Sequence, residues 1–198
     1  LINRASSNYG DSVIAGMGAV TRVTSMGTLV VFGFLKGFQP IAGFSYGAKK
    51  FDRLREAIKT SIIWSTSFCL VVGLVMAIFS TQIISQFTEG DNQMILVGQK
   101  SLFANGITFI LFGFYTVYSS LFLALGKGAA GFFLGACRQG VCFVPVILLL
   151  PMVWGMNAIL YAQPIADVIS VVITVFMAVH LHRELSMAEK QAMSNSEI

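Results

Sequence analysis

The stretch AILYAQPIADVISVVITVFMAVHL, residues 158–181, decides the fold class of this chain. It contains one acidic residue, Asp167, and neither lysine nor arginine. A helix that crosses a bilayer needs about 20 mostly apolar residues, and this stretch is long enough. It therefore predicts a membrane-spanning helix with a single carboxylate inside it.

The composition of the whole chain agrees with that prediction. Of its 198 residues, 56% are hydrophobic and only 11% are charged, and the mean hydropathy is +0.78. Soluble domains carry about 25% charged residues, so most soluble enzymes are excluded. We predict an all-α polytopic membrane protein with five complete transmembrane helices. The other four spans are expected near 13–38, 58–80, 97–125 and 132–152.

The distribution of lysine and arginine predicts the orientation of these spans. One side carries Lys49, Lys50, Arg53, Arg55, Lys59, Lys127, Arg138, Arg183 and Lys190, and the other carries only Arg4 and Lys100. Short cytoplasmic loops hold the excess of positive charge. We therefore expect the polar tail 183–198 to be cytoplasmic and residues 1–12 to form an external loop.

The start of the chain also bears on its extent. Leu1 opens a polar stretch that lacks the pattern of a signal peptide. An external N-terminus without such a signal normally needs an earlier span to deliver it. We expect the chain to be the C-terminal part of a longer protein, with residues 1–12 following a truncated helix.

Polar side chains on the last span form the first candidate site. Gln163, Asp167, Ser170 and Thr174 recur at the spacing of one helical face. Asp167 lies about 13 Å into the span, close to the bilayer midplane. Charged groups at that depth usually face a bundle interior or a cavity. Asp167 is either a carboxylate that carries a proton or contacts substrate, or a structural group bonded to a neighbouring helix.

The first span carries a second set of polar candidates. Arg22 and Lys36 lie on similar sides of the helix, and Gln39 lies with Lys36 towards its cytoplasmic end. Lys36 either lines a cavity or extends to the lipid headgroups. Arg22 is deeper, and its nearest plausible counter-charge in this chain is Asp167.

The third span has an aromatic and polar face without charge. Asn105, Phe112 and Tyr115 share this face by their spacing, and Tyr118 lies beside it. Aromatic rings with hydroxyls and an amide suit flat organic cations. The alternative is helix packing, in which small and polar side chains join membrane helices. The GxxxG spacings at Gly33 with Gly37 and at Gly131 with Gly135 also predict close helix approach.

Several kinds of chemistry lack a motif here. Lys127 in LGKGAAG does not fit a phosphate-binding loop, and the three cysteines lack the spacing of a zinc site. His180 and His182 are interpreted as groups that cap the last span at its cytoplasmic end. We expect no enzyme activity, catalytic residue, metal, cofactor or nucleic-acid partner. Pro164 makes the last helix the expected site of a bend.

Three stretches carry a resemblance to a known family. GFQPIAGFSYGAKKFDRLREA (37–57), ALGKGAAGFFLGACRQGVCFVPVILLLP (124–151) and AQPIADVIS (162–170) closely resemble the multidrug and toxic compound extrusion (MATE) transporters. The first looks like the join between the second helix of their C-terminal lobe and the following cytoplasmic loop. The others resemble the penultimate helix with its arginine, here Arg138, and the last helix with its Pro164 and Asp167.

The resemblance implies a fold and a function. Members have twelve spans in two six-helix lobes. The resemblance implies that this chain is the C-terminal lobe, residues 13–182, with five complete helices and only the end of a sixth, which is the first helix of the lobe. They export cationic drugs and dyes, driven by sodium or proton entry. Sodium-coupled members use acidic residues on the first and fourth helices of this lobe, whereas the span at 97–125 contains no Asp or Glu. That departure argues against sodium binding at that position.

Three functional hypotheses follow. The leading one is a secondary active antiporter of the cell inner (plasma) membrane that exports amphipathic or cationic organic compounds in exchange for H+ or Na+. Tyr115, Tyr118 and Asn105 would contribute to its cavity, and Asp167 to coupling or gating. Its partners would be drugs, the bilayer and the N-terminal lobe of the same polypeptide. A lipid-linked oligosaccharide flippase of the same superfamily, favoured by Arg22 and Lys36, is one alternative. A non-transporting membrane scaffold is the other.

Overall fold

The computed structural model describes residues 10–88, 91–150 and 156–194, and over these ranges it is helical with short connections. The all-α prediction is confirmed. The helices are α1 (Asp11–Gly47), α2 (Phe51–Ile78), α3 (Ser80–Ser85), α4 (Asn92–Ala124), α5 (Gly128–Ala136), a π-helical segment (Cys137–Val141), α6 (Phe143–Leu149) and α7 (Met156–Ser194).

Four of these helices are long and apolar enough to cross a membrane, namely α1, α2, α4 and Leu160–Gln191 of α7. The helix α4 is the centre of the bundle, since it packs against α1, α2, α3, α5 and α7. In its most apolar window 61% of the residues are buried, against 28% in α1 and in α2. The outer helices therefore present apolar side chains such as Leu29, Trp64 and Phe176 outward, as expected of surfaces that face lipid.

The helix α1 continues beyond the predicted span 13–38 and ends at Gly47. The helix α2 begins at Phe51, seven residues before the expected position 58. Hydropathy identifies the apolar part of a helix, because it depends on the side chains and not on the backbone hydrogen bonds. It therefore does not show where a helix ends when the helix continues into a more polar sequence. Lys49, with φ of 55°, and the backbone bond from Lys50 to the Ser45 carbonyl make the turn between the two helices.

The fourth predicted span, 132–152, coincides with a helix that is irregular. The α5, π-helical and α6 segments follow one another, and the amide of Cys142 bonds to the Cys137 carbonyl five residues earlier at 2.8 Å. Pro145 explains the irregularity because it has no amide hydrogen for the Val141 carbonyl and its ring crowds that carbonyl. The π-helical segment carries Arg138. Single-turn π segments occur frequently at functional sites. Pro151 and residue 152 lie outside the described residues.

Glycines set the closest helix contact in the bundle. A Cβ atom at Gly73 of α2 would lie 2.4 Å from the Gly106 carbonyl oxygen, and one at Gly106 would lie 2.7 Å from the Gly73 carbonyl oxygen. Here α2 and α4 cross backbone to backbone. The expected close approach at Gly33 and Gly37 is absent, since a Cβ atom at either meets no described atom within 4 Å. At Gly131 it is present, because a Cβ there would lie 2.6 Å from the Leu123 side chain.

The helix α7 is continuous past Pro164 and past the predicted end of the last span at 181. Residues 183–194 of the predicted polar tail are helical, and 195–198 lie outside the described residues. Leu181 and Leu185 are buried in the main core with Leu54. The two histidines therefore lie inside a helix rather than at its end, and the capping role expected for His180 and His182 is wrong.

Candidate functional site

A small polar cavity lies between α1, α4, the π-helical segment and α7. Its volume is about 120 Å³. The polar lining consists of Thr21, Thr24, Ser25, Thr28, Asn105, Arg138 and Gln163. Every one of these residues belongs to a helix that the sequence predicts to lie within the membrane. Such polar surface at membrane depth is a marker of a functional cavity.

A buried ion pair borders this cavity. The Nε atom of Arg138 donates to Oδ1 of Asp167 at 2.7 Å, and Nη2 faces Oδ2 at 3.5 Å. Gln163, one turn before Asp167 on α7, donates its side-chain amide to the same Oδ1 at 3.0 Å. Arg138 is 7% exposed and Asp167 is 5% exposed. Among the described residues, these two are the only buried charged side chains.

The ion pair is held on its other side by α4. The guanidinium of Arg138 lies over the Phe112 ring, 4.4 Å from its centroid. A cation over an aromatic face is stabilised by the ring quadrupole, most of all where water is excluded. Asn105, one α4 residue that lines the cavity, donates its amide to the Ser101 carbonyl at 2.8 Å. Its side-chain oxygen remains as an acceptor.

The α1 side of the cavity presents hydrogen-bond acceptors. Thr21, Thr24, Ser25 and Thr28 each donate their hydroxyl hydrogen to the carbonyl four residues earlier, at 2.7 to 2.9 Å. A hydroxyl has one hydrogen to donate and two lone pairs that accept. With the hydrogen used inside the helix, the oxygens offer only lone pairs to a molecule in the cavity. This wall suits a ligand that brings N–H groups or a positive charge.

The predicted partner of Asp167 is wrong. The cation beside this carboxylate is Arg138, whereas Arg22 is exposed on α1. Arg138 reaches Asp167 because α5, the π-helical segment and α6 pack against α7. Lys36 is exposed and Gln39 is half-buried, and neither lines the cavity. The structure thus brings together Asp167, Gln163 and Asn105 of the predicted site residues and leaves Arg22, Lys36 and Gln39 outside.

The two predicted tyrosines lie in the core, away from the cavity wall. The Tyr115 hydroxyl donates to the Leu134 carbonyl, and the Tyr118 hydroxyl lies 2.9 Å from Nε2 of His182. Both rings belong to the main hydrophobic core. Tyr115 touches the site indirectly, because its ring packs against Phe112 at 6.4 Å. Both hydroxyls therefore join helices of the bundle.

Some residues of the site were not singled out from the sequence. The sequence indicates Arg138 only through its resemblance to the arginine of the MATE penultimate helix, and the threonines of α1 are not among the predicted site residues. The hydroxyl side chains of α1 carry a signal, since Thr21, Thr24, Ser25 and Thr28 share one face of a helix. Phe112 was noted only for its place on the aromatic face. Its contact with Arg138 depends on the packing of two separate helices.

The described residues hold no group of three or more His, Cys, Asp or Glu side chains placed to bind a metal. The three cysteines, Cys69, Cys137 and Cys142, are buried and unpaired. The side chains at the cavity can form ion pairs and hydrogen bonds, and one charged partner can displace another.

Sequence comparisons connect this architecture to known proteins. The family model MatE matches residues 1–149. The multidrug export protein MepA of Staphylococcus haemolyticus (strain JCSC1435) is 22% identical over 186 residues, which cover 94% of this chain and 40% of MepA. MepA of Staphylococcus aureus (strain MRSA252) is 25% identical over 175 residues, which cover 84% of this chain and 36% of that protein.

Solved structures share the fold. An outward-facing multidrug resistance MATE family transporter of the MOP superfamily superposes with a TM-score of 0.85 at 18% identity, over 94% of this chain and 42% of that one. A MOP superfamily transporter from Pyrococcus furiosus gives 0.84 at 17% identity, over 93% and 42%. An inward-facing MATE structure gives 0.79 at 18% identity, over 88% and 40%. The chain spans about two fifths of the length of the relatives it matches.

Proposed function

The chain belongs to the MatE family of multi-pass membrane transporters, and from that premise we propose that it forms the C-terminal lobe of a twelve-helix secondary active multidrug antiporter. The whole transporter exports amphipathic or cationic organic compounds in exchange for H+ or Na+. Its place is the cell inner membrane, with the C-terminal end of α7 in the cytoplasm. The irregular α5 to α6 region counts as the fifth crossing of the lobe.

The observation that carries this proposal is the buried Arg138–Asp167 pair beside the polar cavity. A buried ion pair is weak evidence for stability, because desolvation of both charges offsets much of their attraction. Ionisable groups at membrane depth mark ion and substrate pathways. Because the desolvation free energy of Arg138 and Asp167 offsets much of their attraction, we assign the pair a role in the transport cycle rather than in stability.

The pair provides a way to couple ion entry to the cavity. When Asp167 takes up a proton, it loses its negative charge and no longer holds the Arg138 guanidinium. Arg138 keeps its charge and needs other acceptors. The hydroxyl oxygens of α1 and the Asn105 side chain line the same cavity. Rotation of Arg138 toward them would reshape the wall that meets the substrate and raise its positive charge, which disfavours a bound cation.

The charge of the cavity favours the multidrug antiporter over the lipid-linked oligosaccharide flippase. Asp167 neutralises Arg138, and the other cations proposed for an anionic substrate, Arg22 and Lys36, lie outside the cavity. A lipid-linked oligosaccharide carries phosphate and asks for unpaired cationic groups. The acceptor-rich α1 wall favours organic cations instead.

The test is export of a cationic dye by Asp167→Asn in the full-length protein. We expect export per inserted molecule to fall by at least about tenfold while membrane insertion stays intact, because Asn keeps the size and hydrogen-bond acceptor but cannot exchange a charge. Asp52→Asn on α2, an exposed position remote from the cavity, is the matched control. Export at the wild-type rate in Asp167→Asn would remove Asp167 from the mechanism.

The coupling ion is tested separately in proteoliposomes. Dye movement is followed while a pH gradient or a sodium gradient is applied alone. We expect the pH gradient to drive uphill export, since the carboxylate beside the cavity, Asp167, is bound to Arg138 and Gln163 and can exchange this ion pair for a proton. Export driven by sodium alone would assign the exchange to Na+.

A further inference from the structure

A second groove lies on the outer face of the lobe, between the C-terminal half of α1 and the N-terminal half of α2. Its volume is about 480 Å³. Phe34, Gly37 and Ile41 of α1 form one wall, and Arg53 and Glu56 of α2 lie at one end of the other. The groove is therefore mostly apolar with a charged end. Neither the predicted site nor the Arg138–Asp167 pair uses it.

The apolar part of this groove continues along the same two helices. Phe34 also lines a neighbouring apolar cavity of about 160 Å³, together with Val30, Trp64 and Phe68. From Arg53 to Phe68 along α2 is about 22 Å at 1.5 Å per residue. One leaflet of a bilayer core is about 15 Å thick, half of roughly 30 Å. The groove is long enough to take one acyl chain through the leaflet.

The charged end of the groove carries both signs. Arg53 and Glu56 are three residues apart on α2, so their side chains emerge on one face about 5–6 Å apart at Cβ. Both are exposed, and within the described ranges neither forms a salt bridge. Arg55, by contrast, is paired with Glu189. A cation and an anion at this spacing remain available to a ligand that carries both charges.

We propose that this groove binds phosphatidylethanolamine, with the acyl chain between Phe34 and Trp64, the phosphate on Arg53 and the ammonium on Glu56. Arginine binds phosphate through paired N–H donors. The primary ammonium of ethanolamine has N–H groups for the Glu56 carboxylate, whereas the quaternary ammonium of choline has none. Phosphatidylglycerol places no positive charge beside Glu56. The inference stands apart from the transport function, since it requires only that α1 and α2 face lipid.

The experiment is native mass spectrometry of the full-length protein, delipidated and then titrated with phosphatidylethanolamine, phosphatidylglycerol or phosphatidylcholine. We expect phosphatidylethanolamine to bind most tightly. Arg53→Gln and Glu56→Gln should each weaken it roughly tenfold, since a charged hydrogen bond is lost in each. Lys59→Gln and Asp52→Asn are the controls, because both are exposed on the same helix and neither lines the groove. Both controls should bind as the wild type does.

Two glycine variants of α1 test whether the acyl chain occupies the apolar part of the groove. Gly37→Leu places a side chain in the groove without meeting any protein atom within 4 Å of its Cβ, so it should block the acyl chain. Gly33→Leu, one turn earlier and equally open, lies outside the groove and should leave binding intact. Equal loss in both leucine variants would overturn the proposal. So would tighter binding of phosphatidylglycerol than of phosphatidylethanolamine, equal loss in the lysine control, or no lipid retained because other protein covers the groove.

Discussion

The two halves of α7 carry the same kind of ion pair in opposite surroundings. In its first half, Asp167 pairs with Arg138, and both side chains are under 10% exposed. In its second half, Glu184 pairs with Lys127, and Glu189 pairs with Arg55, where the side chains are 15% to 47% exposed. All three carboxylates meet cations from other parts of the chain. The three ion pairs therefore differ in the burial of their side chains, and this difference determines how much each charge depends on its partner.

The difference follows from solvation. Water screens the outer pairs, which join α7 to Lys127 before α5 and to Arg55 of α2 for a small gain in stability. The inner pair has lost its water, so each charge depends on its partner. Removing one inner partner leaves a charge unsatisfied, whereas removing an outer partner returns the other group to water. The inner pair is thus suited to respond to an arriving proton or ion.

The largest expected effect comes from breaking the inner pair on one side only. Arg138→Met or Asp167→Leu alone should destabilise the protein by about 3–5 kcal/mol, because the remaining charge is buried without a partner. The double variant Arg138→Met with Asp167→Leu should recover most of that loss. Thermal unfolding of the purified protein in detergent measures all three. A double variant as unstable as the single ones would contradict the assigned pairing.

A smaller effect is expected at Gln163, the neutral member of the inner site. Gln163→Leu removes the amide that donates to Asp167 and should cost about 1–2 kcal/mol, since Arg138 still satisfies the carboxylate. Unfolding in detergent again gives the value. A loss equal to that of Arg138→Met would show that Gln163, rather than the ion pair, holds Asp167.

The outer pairs should respond least among the α7 contacts. Lys127→Met or Glu184→Gln should change stability by no more than about 1 kcal/mol, and the change should shrink in high salt because these side chains are partly exposed. The measurement is the unfolding temperature at low and at high salt. If either substitution destabilised the protein as much as a broken inner pair, burial would not be the deciding difference.

Asp91 is a fourth carboxylate, and it caps the N-terminus of α4. Its side chain accepts from the amides of Gln93 and Met94. The Ser12 hydroxyl and then these amides hold the pKa of Asp91 below its ordinary value of 3.8. Because the pKa of Asp91 is lower in the folded protein, ionised Asp91 stabilises the fold. This stabilisation is complete above about pH 4 and is lost as the pH falls through the lowered pKa.

Asp91→Asn should therefore leave stability at neutral pH nearly unchanged, because Asn is an equally good cap. The variant should also lose less stability at acid pH than the wild type, because it has no carboxylate at position 91 to become protonated. Unfolding temperatures between pH 3 and pH 7 test this. An acid profile identical to that of the wild type would mean that the cap does not depend on the charge.

The sequence predicts the helices better than it predicts their ends or partners. Hydropathy identifies α1, α2, α4 and α7 because apolar length is a local property. It underestimates α1 and α7, since residues 39–47 and 182–194 remain helical where the chain becomes more polar. The bend expected at Pro164 stays a prediction, since α7 is continuous through that residue. The irregular helix that the structure does contain lies just before Pro145.

The candidate site is predictable in part. Gln163 and Asp167 lie one turn apart on one helix, so their hydrogen bond follows from spacing. The Arg138 contact joins segments 29 positions apart, and no pattern within either segment identifies it. The helical spacing and ring chemistry of Tyr115 and Tyr118 predict that they line the cavity, but spacing on one helix does not indicate which neighbouring helix that face meets. Their hydroxyls are bound by Leu134 and His182, which only the packing of the bundle reveals.

In the proposed function, the Arg138–Asp167 pair couples transport rather than merely holding helices together. The most direct test is gradient-driven dye export in proteoliposomes by the double variant Arg138→Gln with Asp167→Asn. This change removes both charges and leaves none buried alone, so the protein should stay folded. We predict that uphill export is lost while the unfolding temperature stays near that of the wild type. Uphill export at the wild-type rate would contradict the account.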